Sequence, residues 1–176
     1  IQSAPPYAPA EGVKLVAFNS GNANATGVLS QSFATTPGQP YLLGFDIGTL
    51  AYNRLTQGIE VVVTGSPSLM ARTFTLTGAG NGGCVWENHT LPFTADSSLT
   101  TVTFRDISPA TNAIDLLLDN VMVTPRILKT LTVSTEIHGG IVVYPDEVTV
   151  SPPDYYGTAD GTPVFTRQYL AGETVT

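Results

Sequence analysis

The chain has 176 residues, with 7 basic and 14 acidic side chains, a net charge of −7 and an isoelectric point near 4.5. So low a charge density excludes a coiled coil or a charged disordered chain, and seven scattered cations cannot form the basic surface that nucleic-acid binding needs. No apolar run approaches the roughly 18 residues of a membrane-spanning helix, while the length suffices for one large domain or one domain plus a small one.

Ile1 opens no signal-peptide pattern, which implies a processed chain or a fragment. Residues 1–12 carry three prolines and read as an extended lead-in. The first strand signal is 13–18, followed by a Gly/Asn turn cluster at 19–24 and an alternating segment at 27–34. Pro37-Gly38-Gln39-Pro40 is a turn by residue chemistry, because Pro presets φ and Gly admits positive φ. Tyr41, Leu43, Phe45 and Ile47 then share one face of the cleanest period-two segment. Further strands are expected at 58–64, 71–77, 84–94 and 99–107, with a Gly-rich connection at 78–83. Residues 112–124 are ambiguous by pattern: Ile114, Leu117, Leu118 and Val121 fit a helical face, and apolar residues on both sides fit a buried central strand. The strand-like neighbours favour a strand, and turn signals every ten or so residues suggest a β-sandwich.

Composition shifts after Pro125-Arg126. Strands are expected at 127–135, at 140–150 with a break at Pro145-Asp146, and at 164–170; His138-Gly139-Gly140 reads as a turn and 151–163 as a loop. Residues 173–176 look like the start of another strand. Six of the 14 acidic residues but only two of the seven basic ones lie in this last stretch, which concentrates the net negative charge there. Cys84 has no internal partner for a disulfide and reads as a buried free thiol.

The stretches "GVLSQSFATTPGQPYLLGFDIGT", "LPFTADSSLTTVTFRDIS" and "AIDLLLDNVMVTP", with Trp86 between the first two, occur in an order that resembles the galactose-binding-like jelly rolls. That group holds the carbohydrate-binding modules of families 4, 9, 16 and 22 and the bacterial choice-of-anchor domains. The resemblance implies an all-β jelly-roll sandwich over residues 1–125, without the Asn-Gly-x-Phe-Glu opening strand and Gly-Trp turn of such domains. The roll is therefore expected to be short at its N-terminal side, either as a trimmed fold or with an edge left open. The tail from Leu131, "LTVSTEIHGGIVVYPDEVTV…YLAGETVT", resembles small β-rich repeats of bacterial surface proteins, which implies a partial repeat domain over 127–176.

His89 and His138 stand in different expected domains, and neither lies in a motif with a catalytic mechanism, so an enzyme is not expected. Sugar sites use aromatic platforms and polar side chains for hydroxyls. Trp86 is either such a platform or a core residue; Tyr52-Asn53-Arg54 is either a sugar contact or a turn. The jelly-roll resemblance further implies a structural Ca²⁺, for which Asp119 matches the terminal Asp. The loop from Asp154 to Gly161 is also rich in oxygen, though turn formation explains it more simply. The expected protein is a non-catalytic, secreted or cell-surface module that binds a polysaccharide or other glycan or serves adhesion. The alternative is a structural subunit of an extracellular filament or surface layer, self-associating by strand complementation at open β-edges.

Overall fold

The computed structural model describes residues 1–133, 148–161 and 165–176. They divide into two compact units, Ile1–Pro125 and Arg126–Thr176. Every regular element among the described residues is a strand.

In the first unit the strands are β1 (Val16–Ala17), β2 (Val28–Ala34), β3 (Pro40–Ala51), β4 (Thr56–Thr64), β5 (Ser68–Thr77), β6 (Gly83–Thr94), β7 (Leu99–Asp106) and β8 (Ile114–Pro125). They form a front sheet in the order β1-β8-β3-β6 and a back sheet in the order β2-β7-β4-β5, with every pairing antiparallel. This interleaving of eight strands between two sheets is the jelly roll. β1 has two residues where its neighbour β8 has twelve.

Period-two alternation builds the core. Leu43, Phe45 and Ile47 of β3 and Leu116 and Leu118 of β8 point inward from the front sheet, and Ile59, Val61, Val63, Val102 and Phe104 meet them from the back sheet. The Phe45 ring is held edge-on by Phe74 at 5.5 Å and by Phe104 at 5.4 Å. Each such side chain contributes about 1.5–3 kcal/mol on leaving water.

The two readings of residues 112–124 resolve in favour of a strand because β8 is buried on both faces. Leu116 and Leu118 face the core, while Leu117 faces outward and packs with Leu15 and Leu50 in a second cluster. The residues that cover it come from the proline-rich segment 1–12, hereafter the strap, through Tyr7. Its anchors are the bridge Gln2↔Leu15 and a set of polar contacts described below. Asn120, at φ +50°, ends the regular part of β8: Asn120 and Val121 together stand opposite Phe45 as a bulge.

One end of the core is closed by two fully buried amides. Asn19 donates to Gln57 Oε1 at 2.8 Å and accepts from the Leu116 N–H at 2.7 Å. Gln57 donates onward to the carbonyls of Thr56 and Ala110.

In the second unit β9 (Leu128–Val133) pairs with β12 (Phe165–Leu170), and β10 (Val148–Thr149) pairs with β11 (Asp160–Gly161), both antiparallel. The 140–150 strand pair falls mostly outside the described residues, as does the turn at 138–140. Residues 173–176 are not a strand: Thr176 instead exchanges two backbone hydrogen bonds with Ser151.

Asn19→Ala strips partners from Gln57 Oε1 and the Leu116 N–H at a site with no room for bulk water. We expect a loss of about 2–4 kcal/mol in denaturant unfolding of the first unit. A loss below about 0.5 kcal/mol would show that the amide pair is not a structural closure.

Candidate functional site

The outer face of the front sheet is where the sequence-selected residues converge. Along β3 the outward positions are Gly44, Asp46, Gly48 and Leu50, which alternate with the core residues. Their neighbours on β6 are Thr90, Asn88, Trp86 and Cys84 in the same order. Their neighbours on β8 include Asp119 beside Asp46, Leu117 beside Gly48 and Asp115 beside Leu50. Three strands thus put an indole, three carboxylates and an amide on one surface.

Trp86 lies on this outer face and not between the sheets. Its ring lies against Gly48: a Cβ there would come within 2.6 Å of the indole Cε3, so only glycine permits the contact. The indole Nε1–H donates to the Ala8 carbonyl at 3.0 Å. Trp86 is half-buried, and so is Cys84, which is free and accepts from the Ala8 N–H at 3.3 Å. The thiol is therefore partly covered by the strap instead of being lost in the core.

Asp46 is buried and fully engaged. Asn88 donates to its Oδ1 at 2.7 Å and Asn120 to its Oδ2 at 3.1 Å. The bulge at Asn120 is what aims that amide. Asn88, Thr90, Asn120 and Met122 are exposed beside it. This half of the face is open, while the Trp86–Leu117–Leu50 half lies under the strap.

Asp119 Oδ2 accepts the N–H groups of Ala10 at 2.9 Å and Glu11 at 3.1 Å, and Oδ1 accepts that of Asn120 at 2.8 Å. These hydrogens occupy the directions from which a cation would approach, so the seated strap and Asp119 do not fit a calcium ion. Among the described residues no group of three His, Cys, Asp or Glu side chains gathers as a metal cluster.

Asp115 accepts the Tyr7 hydroxyl at 2.6 Å, and Tyr7 also bonds Ser20 at 2.6 Å. Burial pushes the Asp115 carboxyl above its ordinary range, with the Tyr7 hydrogen bond offsetting part of the rise. Burial and the bond to Asp115 likewise push the Tyr7 phenol up. The pair adjoins a depression of about 200 Å³, whose lining also includes Leu50 and Tyr52.

Tyr52 is 61% exposed and lies against Gly82. Asn53 spends its side chain on the turn, donating to the Asn112 carbonyl at 2.7 Å and accepting the Leu55 N–H at 3.1 Å. Arg54 is exposed and passes close to Gly80. Of these three, Tyr52 lines the depression shared with Tyr7, Leu50 and Asp115, just past the end of β3. Sequence reasoning did not select Tyr7, Asp46, Asn88 or Asn120. The alternation in β3 and β6 would have put Asp46 and Asn88 opposite the core face, but only the register makes them neighbours.

In the second unit Asp154 anchors a turn. Burial would raise its carboxyl, but N–H groups of Thr158, Gln168 and Tyr156 outweigh that and hold it below the ordinary range. Tyr155 and Tyr156 pack edge-on at 5.2 Å in that turn.

No family model matches the sequence, and no curated protein matches it. Among solved structures the chain is similar to a CBM4 structure at 18% identity, over 58% of this chain and 64% of that one, with a TM-score of 0.44. It is similar to the EclA C-terminal domain, a sugar-binding protein, at 17% identity over 70% and 89% of the two chains, TM-score 0.45. A third likeness is to the Listeria monocytogenes EGD-e protein lmo2446, solved with glucose, magnesium and calcium: 16% identity over 67% of this chain and 10% of that one, TM-score 0.41. With TM-scores below 0.5, these likenesses are similarities only, and the fold assignment stands on the strand order itself.

A carboxyl raised by folding stabilises the fold below its unfolded pKa, and that contribution is lost as pH rises through the folded value. Asp115→Asn keeps an acceptor for Tyr7 and removes the titration. The melting temperature of the native chain relative to Asp115→Asn should therefore climb as pH falls from about 7 to about 4. A difference that stays flat across that range would contradict the buried-carboxyl assignment.

Proposed function

We propose that residues 1–125 form a non-catalytic carbohydrate-binding module of a secreted or cell-surface protein, with the outer face of the front sheet as the glycan site. The observation that carries this reading is the combination of the Trp86 indole over Gly48 with the exposed Asn88, Asn120 and Thr90 around Asp46. An aromatic ring offers a surface for the CH face of a sugar, and amide and hydroxyl groups serve its hydroxyls. Tyr52 extends that surface, whereas Asn53 supports the turn and Arg54 borders it. Asp46, Asp115 and Asp119 make the face acidic, which favours a neutral glycan over a polyuronate.

Affinity electrophoresis in gels containing hydroxyethylcellulose, laminarin, soluble starch or polygalacturonate tests this. Retention is expected on a neutral polymer and not on polygalacturonate. Trp86→Ala and Gly48→Ala, which removes or displaces the ring, should each weaken retention at least tenfold, about 1.4 kcal/mol. Folded native protein that migrates freely in all four gels would end the proposal.

A second reading, a structural subunit joined by strand complementation, is favoured by the open side of the sandwich. Among the described residues no strand pairs with the outer edge of β8 beyond Leu118, and none with the outer edge of β2. Between them lies an apolar cleft of about 270 Å³, lined by Leu29, Phe33, Val102, Phe104, Val121 and Val123. A strand from a second copy would fill both the edge and the cleft. Sedimentation should then show assembly that grows with concentration and disappears in Val121→Lys. A native monomer at every concentration refutes it.

A further inference from the structure

The strap takes from the outer face the groups that a glycan would use. Its Ala8 carbonyl accepts the Trp86 Nε1–H, its Tyr7 hydroxyl donates to Asp115, and its Ala10 and Glu11 N–H groups donate to Asp119. These are carbonyl, hydroxyl and N–H contacts with an indole and two carboxylates, the same donor and acceptor chemistry that sugar hydroxyls supply. The strap is held mainly by polar contacts and buries little apolar surface of its own. Residues 3–6 and 10–14 are exposed, Tyr7 and Pro9 are only half-buried, and among the described residues its backbone pairing is the isolated bridge Gln2↔Leu15, outside the strands of the sheet. A segment with so few buried apolar contacts opens at a small fraction of the cost of global unfolding.

We infer that the strap is a resident occupant of the glycan face, and that a glycan must displace it to reach Trp86, Leu117 and Asp119. The inference rests on the glycan-binding reading and adds a competitor to it. The apparent affinity of the chain is then the intrinsic affinity of the bare face reduced by the fraction of time the strap is away. Cutting the strap's anchors raises the affinity, and locking the strap abolishes it.

Cys84 makes both operations possible. The Ala8 nitrogen lies 3.3 Å from its sulfur, so Ala8→Cys brings a second thiol into the neighbourhood of Cys84, and a disulfide formed there on oxidation ties the strap down. Tyr7→Phe removes the hydroxyl that bonds Asp115 and Ser20, and loosens the strap. Alkylation of Cys84 by iodoacetamide reads strap opening without any glycan.

Tyr7→Phe should be alkylated several-fold faster than the native chain, and should bind the polysaccharide that retains the native chain several-fold more tightly. Oxidised Ala8→Cys should lose retention and recover it on reduction. Equal retention of the oxidised and reduced forms would overturn the competition while leaving the glycan reading in place. If the disulfide does not form, Tyr7→Phe decides alone: faster alkylation with unchanged affinity overturns the competition. If no form is retained on any polymer, the glycan reading falls and the competition falls with it.

Discussion

The centre of the front sheet is apolar on both sides. Leu116 and Leu118 must meet the back sheet, and Leu117 and Leu50 must also leave water. A two-layer sandwich covers one face of each sheet and leaves the other to solvent. A third cover is therefore required over Leu117 and Leu50, and the strap supplies it with Tyr7 while Trp86 closes from the side. The half-buried thiol, the seating of Trp86 on Gly48 and the shielding of Asp115 all follow from that one requirement. The polar groups of the strap then settle on the carboxylates that flank the apolar patch.

β8 organises what remains. Up to Leu118 it is a central strand with partners on both sides. After the bulge at Asn120 its outer edge has no strand partner among the described residues as far as Pro125, with Val121 and Met122 exposed. The same bulge turns the Asn120 amide onto Asp46. One left-handed residue thus sets both the polar end of the outer face and the point at which the sheet edge opens. Asn tolerates this conformation better than other non-glycine residues, because its short amide bonds locally.

The strands of the first unit were legible because most follow a two-residue period. Tyr41, Leu43, Phe45 and Ile47 announce β3, and the Pro and Gly at 37–40 announce the turn before it. The 112–124 segment was ambiguous for a physical reason: a helix and a doubly buried strand both lack strict alternation, and here the cover comes from residues more than a hundred positions away. The site was only partly legible. Trp86, Tyr52 and Asp119 stood out by residue type, but the placement of Trp86 and Asp119 on one face depends on register. Asn53 stayed open between contact and turn because Asn serves both, and its side chain bonds to Asn112 and Leu55 in the turn. Asn88 carried no signal, since an Asn in a β-strand acquires meaning only from the Asp46 opposite it.

Trp86 is the single tryptophan of the chain, and it reports on the strap and not on the jelly-roll core. Its emission would change when Ala8 leaves the indole, at a denaturant concentration where Phe45 and its neighbours are still packed. Circular dichroism would follow the strands at their own midpoint. The two optical transitions would then fail to coincide in a domain whose sandwich unfolds in one step, and the non-coincidence would measure the strap and not a folding intermediate.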